Sequence, residues 1–372
     1  MSELGISVFC GLNQTVEQNI NYLQLARQCG YSKLFTSLHI PESDSESLVL
    51  DARRILLCAA ELGFSVTADI SPQTWSQFAI DPGQLKKVGV STARIDYGIS
   101  AAQMLDLART AAVAIEINAS TLSEPMLLQL LAAGLQANLL TACHNYYPRP
   151  ETGLSYALFA ERSRLFSVRG IPVTAFIPGL KNPRGPIFAG LPTVEAHRNM
   201  CSVDAARQLW ASGSVENILW GDPLVAEIDL RAVSRLAKPT GESIILRLIA
   251  ENIGAAEAEL VWLPVHTNRL DAAAMVIRSQ ESRHHCRQTI VPQGKRKRQR
   301  GDVTLDNQHY GRYMGELQIV LQELPADERV NVIGRVVAAD LCLLDCISAG
   351  GSFCFRGENH ESGSFVDGEA QP

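Results

Sequence analysis

Arg94 and Asp96, like Glu116 and Asn118, stand two residues apart in short apolar runs, so in an extended chain the members of each pair project from one face. If the two runs form neighbouring strands, Asp96 and Glu116 lie side by side. Two carboxylates roughly 5 to 9.5 Å apart, one kept protonated by its surroundings, are the equipment for splitting a glycosidic bond. The plainer reading is that either acid only pairs with Arg94 and holds a strand end in place. Two acids on adjacent strands tilt the balance toward chemistry.

A second group follows the apolar run 137–143, where His144, Asn145 and Tyr146 come in succession. They offer an imidazole that donates or accepts, an amide able to grip a hydroxyl or acetamido group, and an aromatic face for a sugar ring. A histidine at a strand end is commonly just a satisfied structural group, but its neighbours here favour a ligand. The loop 178–193 carries Lys181 and Arg184 among glycines and prolines; basic side chains beside free backbone amides suit a phosphate, and an ordinary surface loop has the same composition. Glu195, at the start of a helix expected near Thr193, complements the helix dipole and is a reserve acid or base. Asp69 and Asp222, with Thr36 and Ser37, complete the polar groups at strand ends. No His-x-x-x-His or His/Cys cluster completes a ligand set, so no metal and no cofactor are expected.

The elements that would position these groups alternate along the chain. Between residues 4 and 236, apolar or β-branched runs at 5–10, 33–38, 65–70, 92–97, 113–118, 137–143, 172–177 and 217–220 are separated by stretches of helical period. Such alternation signals βα units on a parallel sheet, and eight units in this length predict an α/β fold of the (β/α)8 TIM-barrel type, whose strand ends face one shared site. Thr15 and Ser100 are placed to cap helices, Gly30 to stop one, and further helices are expected over 45–63, 122–134 and 155–170. After Lys238-Pro239-Thr240-Gly241 the alternation ceases, and the runs 243–250, 259–265, 302–305, 316–321 and 331–338 predict a small, mainly β barrel-like unit. The expected domains are therefore 1–238 and 239–356, with 357–372 as a loose polar tail.

Composition narrows the function. The chain has 372 residues, 46% of them hydrophobic, and a formal net charge of −6, which supplies no general attraction for nucleic acid or anionic lipid. The basic tract Lys295-Arg296-Lys297-Arg298-Gln299-Arg300 lacks interleaved aromatics and reads as a solvated loop. The polar and aromatic stretch 301–316 is expected either to cover the barrel mouth or to be a packed hairpin. Nine scattered cysteines without paired Cys-x-x-Cys motifs suit a reducing cytoplasm. No basic-then-apolar leader opens the sequence and no run of eighteen apolar residues occurs, so neither secretion nor membrane spanning is expected. A homo-oligomer is compatible with these features.

Several segments in this order also carry a family resemblance: Gly5-Ile6-Ser7-Val8, Phe35-Thr36-Ser37-Leu38, Arg94-Ile95-Asp96-Tyr97-Gly98, Ile115-Glu116-Ile117-Asn118-Ala119-Ser120, Cys143-His144-Asn145-Tyr146-Tyr147-Pro148, Gly190-Leu191-Pro192-Thr193-Val194-Glu195-Ala196-His197-Arg198, and Asp306-Asn307 through Tyr310-Gly311-Arg312-Tyr313-Met314-Gly315-Glu316. Together they resemble the bacterial 6-phospho-N-acetylmuramidases of the MupG type, glycoside hydrolase family 170. The resemblance implies a TIM barrel followed by a cyclophilin-like β domain, in a cytoplasmic enzyme of peptidoglycan recycling. The implied partner is a phosphorylated amino-sugar disaccharide, N-acetylmuramic acid 6-phosphate linked to N-acetylglucosamine. Its phosphate and lactyl carboxylate call for local cations, for which Arg94, Lys181, Arg184 and Arg312 are candidates, with Tyr310 beside the last. One of Asp96 and Glu116 would protonate the leaving oxygen while the other stabilises or attacks the anomeric centre, and Asn118, His144 and Asn145 would orient the sugar. Two rivals stay open. A barrel isomerase or aldolase for another sugar phosphate would need a metal or a lysine Schiff base, and a non-catalytic sugar-phosphate binder would need no acid at all.

Overall fold

The computed structural model describes residues 3–12, 14–37, 46–70, 82–95, 100–236 and 243–358. The chain divides into two compact units, residues 1–238 and 239–372.

In the first unit eight parallel strands close into a barrel in chain order: β1 (Leu4–Ser7), β2 (Lys33–Ser37), β3 (Ser65–Ile70), β4 (Thr92–Ile95), β5 (Ala114–Asn118), β6 (Leu140–Cys143), β7 (Val173–Ile177) and β8 (Asn217–Trp220). The helices between them are α1 (Val16–Gln28), α2 (Glu46–Glu61), α3 (Ala101–Ala111), α4 (Glu124–Ala132), α5 (Tyr156–Ser167), α6 (Ser202–Ala211) and α7 (Glu227–Ser234). Thr15 and Ser100 cap α1 and α3 through reciprocal capping boxes with Gln18 and Gln103, the arrangement that satisfies two orphan amides at once. The sixth run begins later than expected. Ala137–Leu139 forms one 3-10 turn before β6, because the amide of Leu139 turns back to the carbonyl of Gln136.

The side-chain period of two sorts the barrel residues. Ile6, Leu34, Val66, Ala68, Ala93, Ile95, Ile115, Ile117, Ala142, Val173, Ala175, Ile218 and Trp220 join the large core beneath the helices. Their neighbours face inward, where Phe35, Cys143, Phe176 and Leu219 cluster with Phe9 and the half-buried Tyr146. In the register Asp69 pairs with Arg94, Arg94 with Glu116, and Glu116 with Thr141, so four polar side chains from β3 to β6 are successive partners.

Barrel closure brings the first strands against the last. Ser7 Oγ donates to the carbonyl of Trp220 at 2.6 Å. Tyr31, fully buried before β2, receives the Trp220 indole N–H at 2.9 Å and donates its own proton to the carbonyl of Leu230 at 3.0 Å.

The second unit is a seven-stranded mixed sheet in the order β10-β15-β9-β14-β12-β13-β11, made of β9 (Ser243–Ala250), β10 (His266–Thr267), β11 (Val276–Arg278), β12 (Asp302–Asp306), β13 (Leu317–Val320), β14 (Val330–Val336) and β15 (Ser352–Gly357). Its edges nearly meet: Asn268 bridges Ser279, and Gln280 N–H donates to the Thr267 carbonyl. The sheet corrects one expected strand. Residues 255–261 are a helix, α8 (Ala255–Val261), and the short apolar run that suggested a strand at 259–265 buries Leu260 and Val261 from its last turn; such runs carry no decisive period. β15 runs to Gly357 and the amide of Glu358 donates to the Leu248 carbonyl, so both residues lie against β9. Segment 301–316 is part of a hairpin, with β12 and β13 antiparallel. Three cations of the basic tract are paired, Arg296 with Glu251, Lys297 with Glu323 and Arg300 with Asp345.

Replacing Tyr31 by Phe removes one hydroxyl and leaves the buried indole N–H of Trp220 without an acceptor. The expected cost is about 1–3 kcal/mol, measured as a lowered urea midpoint; a midpoint equal to that of the parent chain would show that the seam does not depend on this hydroxyl.

Candidate functional site

The polar group inside the barrel is built around a guanidinium and a carboxyl. Arg94 is almost wholly buried; its guanidinium donates to Asn145 Oδ1 at 2.6 Å and the His144 carbonyl at 3.5 Å, and lies 5.7 Å from the centre of the Phe35 ring. Glu116, on the next strand and only 4% exposed, accepts from Thr141 Oγ1 at 3.2 Å. Its Oε1 has no hydrogen-bond partner among the described residues. Burial pushes its carboxyl above the ordinary value, against the opposing pull of Arg94 and Lys33, so a proton is retained more readily than on an exposed glutamate. Asp69, the register partner of Arg94 on β3, is half-buried.

Further along β5, Asn118 Nδ2 donates to Asn145 Oδ1 at 3.0 Å, and Asn118 Oδ1 receives the amide of Ser120 at 2.9 Å. Two donors thus claim the Asn145 carbonyl oxygen, and this fixes which way its amide faces. The Asn145 backbone is held as well, its N–H donating to Ser120 Oγ at 3.0 Å and its carbonyl receiving the Thr193 hydroxyl at 2.9 Å.

His144 does not join this group. Its ring lies on the helix side of β6, fully buried against Phe159. Ser163 Oγ, 3.0 Å from Nε2, spends its own proton on the Phe159 carbonyl, so Nε2 must carry the ring proton. Nδ1 then accepts from Ser120 Oγ at 3.1 Å. Burial foremost, with Arg94 and Arg162 nearby, lowers the imidazole to about 3. His144 is therefore a neutral brace for Ser120 and, through it, for Asn145, where the sequence suggested a ligand contact.

Beyond the strand ends, Tyr146 packs edge-on against Phe9, Phe35 and Phe176. The Arg184 guanidinium lies 4.5 Å from the Phe9 ring centre and 5.1 Å from that of Tyr146, and donates to the Tyr146 hydroxyl at 3.0 Å. Lys181 instead reaches Asp229 on α7, 3.5 Å away, and is mostly exposed.

Two expected site acids are staples. Asp222 has no exposed surface; Oδ2 receives the amides of Gly179 and Leu191 at 2.8 and 2.9 Å, and Oδ1 the amide of Arg184 at 2.8 Å. Three of the loop amides that could meet an anion are thus already used. Glu195 starts a single 3-10 turn rather than a longer helix. It receives the amides of Glu151 and Gly153 at 2.8 and 2.7 Å and both Nε and Nη2 of Arg198 at 2.6 and 2.7 Å, and these bonds, that of Arg198 first, hold it down at about 2. A carboxylate so held is no reserve acid. A Cβ on Gly153 would stand 2.6 Å from Glu195 Oε2, which explains glycine there.

Asp96 lies outside the described residues. Tyr310 and Arg312 belong to the second unit, in a 3-10 turn (Gln308–Tyr313) capped by Asn307. Arg312 lies over the Tyr313 ring and Tyr310 faces Arg329, 4.5 Å from its ring centre. What sequence reasoning missed is the bracing pair Ser120 and Ser163 and the role of Phe9; serines carry no signal until their partners are known.

These features describe an α/β-barrel protein with amide, guanidinium and carboxylate groups gathered at the carboxyl ends of its strands. Residues 4–235 match the amino-terminal model, and residues 244–356 the carboxy-terminal model, of the 6-phospho-N-acetylmuramidases, so the chain belongs to that family, which is named for a glycosidase activity. Among solved structures it is similar to an uncharacterized B. cereus protein, with 28% identity over 95% of this chain and 99% of that one and a TM-score of 0.73. A conserved protein of unknown function from Enterococcus faecalis is 34% identical over 96% of this chain and 97% of its own, with a TM-score of 0.59. No curated protein matches. Among the described residues no helix is long and apolar enough to cross a membrane.

The His144 brace has a pH signature. The folded-state value of about 3 lies below the ordinary 6.5, so on acidification the unfolded chain takes the proton first and stability is lost as pH falls from 6.5 toward 3, at up to about 1.4 kcal/mol per pH unit. His144→Gln, which cannot take that proton, is expected to show a shallower fall in urea midpoint between pH 7 and 4.5, though lower stability at pH 7. Parallel pH profiles for the two proteins would exclude a buried neutral imidazole.

Proposed function

We propose that this protein hydrolyses the glycosidic bond between N-acetylmuramic acid 6-phosphate and N-acetylglucosamine, in cytoplasmic recycling of bacterial peptidoglycan sugars. One observation carries the reading: Arg94, Glu116, Asn118 and Asn145 converge inside the barrel of a chain whose two halves both match this family. The coarse chemistry follows from the groups present. Glu116, which burial inclines to stay protonated, is the proton donor to the leaving oxygen of N-acetylglucosamine. Asp96 is proposed as the second carboxylate, stabilising or attacking the anomeric carbon. Water supplies the hydroxyl that ends on that carbon, and its remaining proton restores the acid. Asn118 and Asn145 hold hydroxyl or acetamido groups, and Asp69 is a further contact beside Arg94.

The purified protein, incubated with the phosphorylated disaccharide, is expected to release free N-acetylglucosamine at the same rate with and without chelator. Glu116→Gln and Asp96→Asn are each expected to lower kcat by at least about 100-fold with melting temperatures near that of the parent. Chelator-sensitive turnover would favour a metal-dependent sugar-phosphate enzyme, and tight binding without release a binding protein. Near-normal hydrolysis by both variants would remove the two acids from the chemistry.

A further inference from the structure

We propose that Arg184 is the anion receptor at the open end of the barrel, reading the phosphomonoester of the substrate, and that the buried Asp222 is its positioning residue. This rests on the substrate reading above. The Arg184 guanidinium is half-buried between the rings of Phe9 and Tyr146 and bonded to one tyrosine hydroxyl. Among the described residues no carboxylate stands within ion-pair distance of it. The other barrel candidates are engaged: Lys181 with Asp229, Arg198 with Glu195, and Arg94 with Asn145 and a carbonyl. Aromatic faces compensate a cation in part, and the remaining N–H groups of a planar fork suit the oxygens of a phosphate.

The neighbouring elements disfavour the more common solution. Barrels often cradle phosphate on backbone amides after the seventh and eighth strands. Here the first turn of α7 carries Glu227 and Asp229, which repel an anion there, and the loop amides of Gly179, Arg184 and Leu191 are spent on Asp222. A side chain is better placed to hold the anion. Asp222 ties both ends of the loop and the Arg184 amide itself to one carboxylate, and the loop lies so close that a Cβ on Gly179 would stand 3.0 Å from Asp222 Cβ. The direction of the guanidinium is therefore inherited from Asp222.

The same chemistry would suit the lactyl carboxylate, so the test uses three disaccharides with the full chain: the 6-phosphorylated substrate, its unphosphorylated counterpart, and a 6-phosphorylated analogue lacking the lactyl ether. Arg184→Met is expected to cut the preference in kcat/KM for the phosphorylated over the unphosphorylated sugar about 100-fold, as loss of two charged hydrogen bonds implies, and to leave the lactyl preference as in the parent. Asp222→Asn is expected to raise KM for the phosphorylated sugar about ten-fold with kcat little changed, and to add nothing to KM in an Arg184→Met background. Should Asp222→Asn fail to fold, Asp222→Glu takes its place in the cycle. An intact phosphate preference in Arg184→Met, a lost lactyl preference in its stead, or independent effects of the two substitutions would overturn the proposal. Calorimetric binding of N-acetylglucosamine 6-phosphate separates it from the functional reading: binding lost in Arg184→Met without any hydrolysis by the parent sinks only the hydrolase, and hydrolysis by the parent with binding unchanged in Arg184→Met sinks only the receptor.

Discussion

Arg94 and Glu116 are register partners on adjacent strands inside the barrel, and burying a guanidinium beside a carboxyl there sets the conditions for the groups around them. A guanidinium withdrawn from water needs acceptors or a polarizable face. Asn145, the His144 carbonyl and the Phe35 ring provide them, so the strand-end residues that look available to a ligand are first of all the solvation shell of Arg94. Glu116 is tuned by the same environment: burial raises its carboxyl while Arg94 limits the rise.

Around this centre the chain uses acids to fasten loops. Glu195 gathers two amides of the segment after Tyr146 and the Arg198 guanidinium, which in turn donates to the carbonyls of Tyr147, Arg149, Ala189 and Gly190. Asp222 gathers three amides of the loop after β7. Each bond satisfies a backbone group that a buried loop would otherwise leave unmade, and the two loops that border the barrel mouth are thereby held without regular secondary structure. His144 performs a related service through two serines.

The parts legible in the sequence are those governed by local period. Alternation of βα units led to the barrel, and spacing by two put Arg94, Glu116 and Asn118 on inward faces. The Thr15 and Ser100 caps follow from residue type alone. What the sequence concealed is long-range. Asp222 and Glu195 look like site acids because their amide partners lie 31 to 44 residues away, and His144 looks like a ligand because Ser163 is on a helix 19 residues on. In the second unit, the strands of two and three residues at β10 and β11 are too short for any period to register, and the apolar end of α8 reads equally as strand or helix.

The orientation of Asn145 carries a consequence for selectivity. With its oxygen claimed by Arg94 and Asn118, the side chain can offer an approaching molecule only its amino hydrogens, beside an already positive guanidinium. A visitor to that spot must therefore bring lone pairs, as a carbonyl or ether oxygen does, whereas a protonated amine would confront like polarity and no relief. The polarity of that spot is thus set by a side chain that never changes its charge.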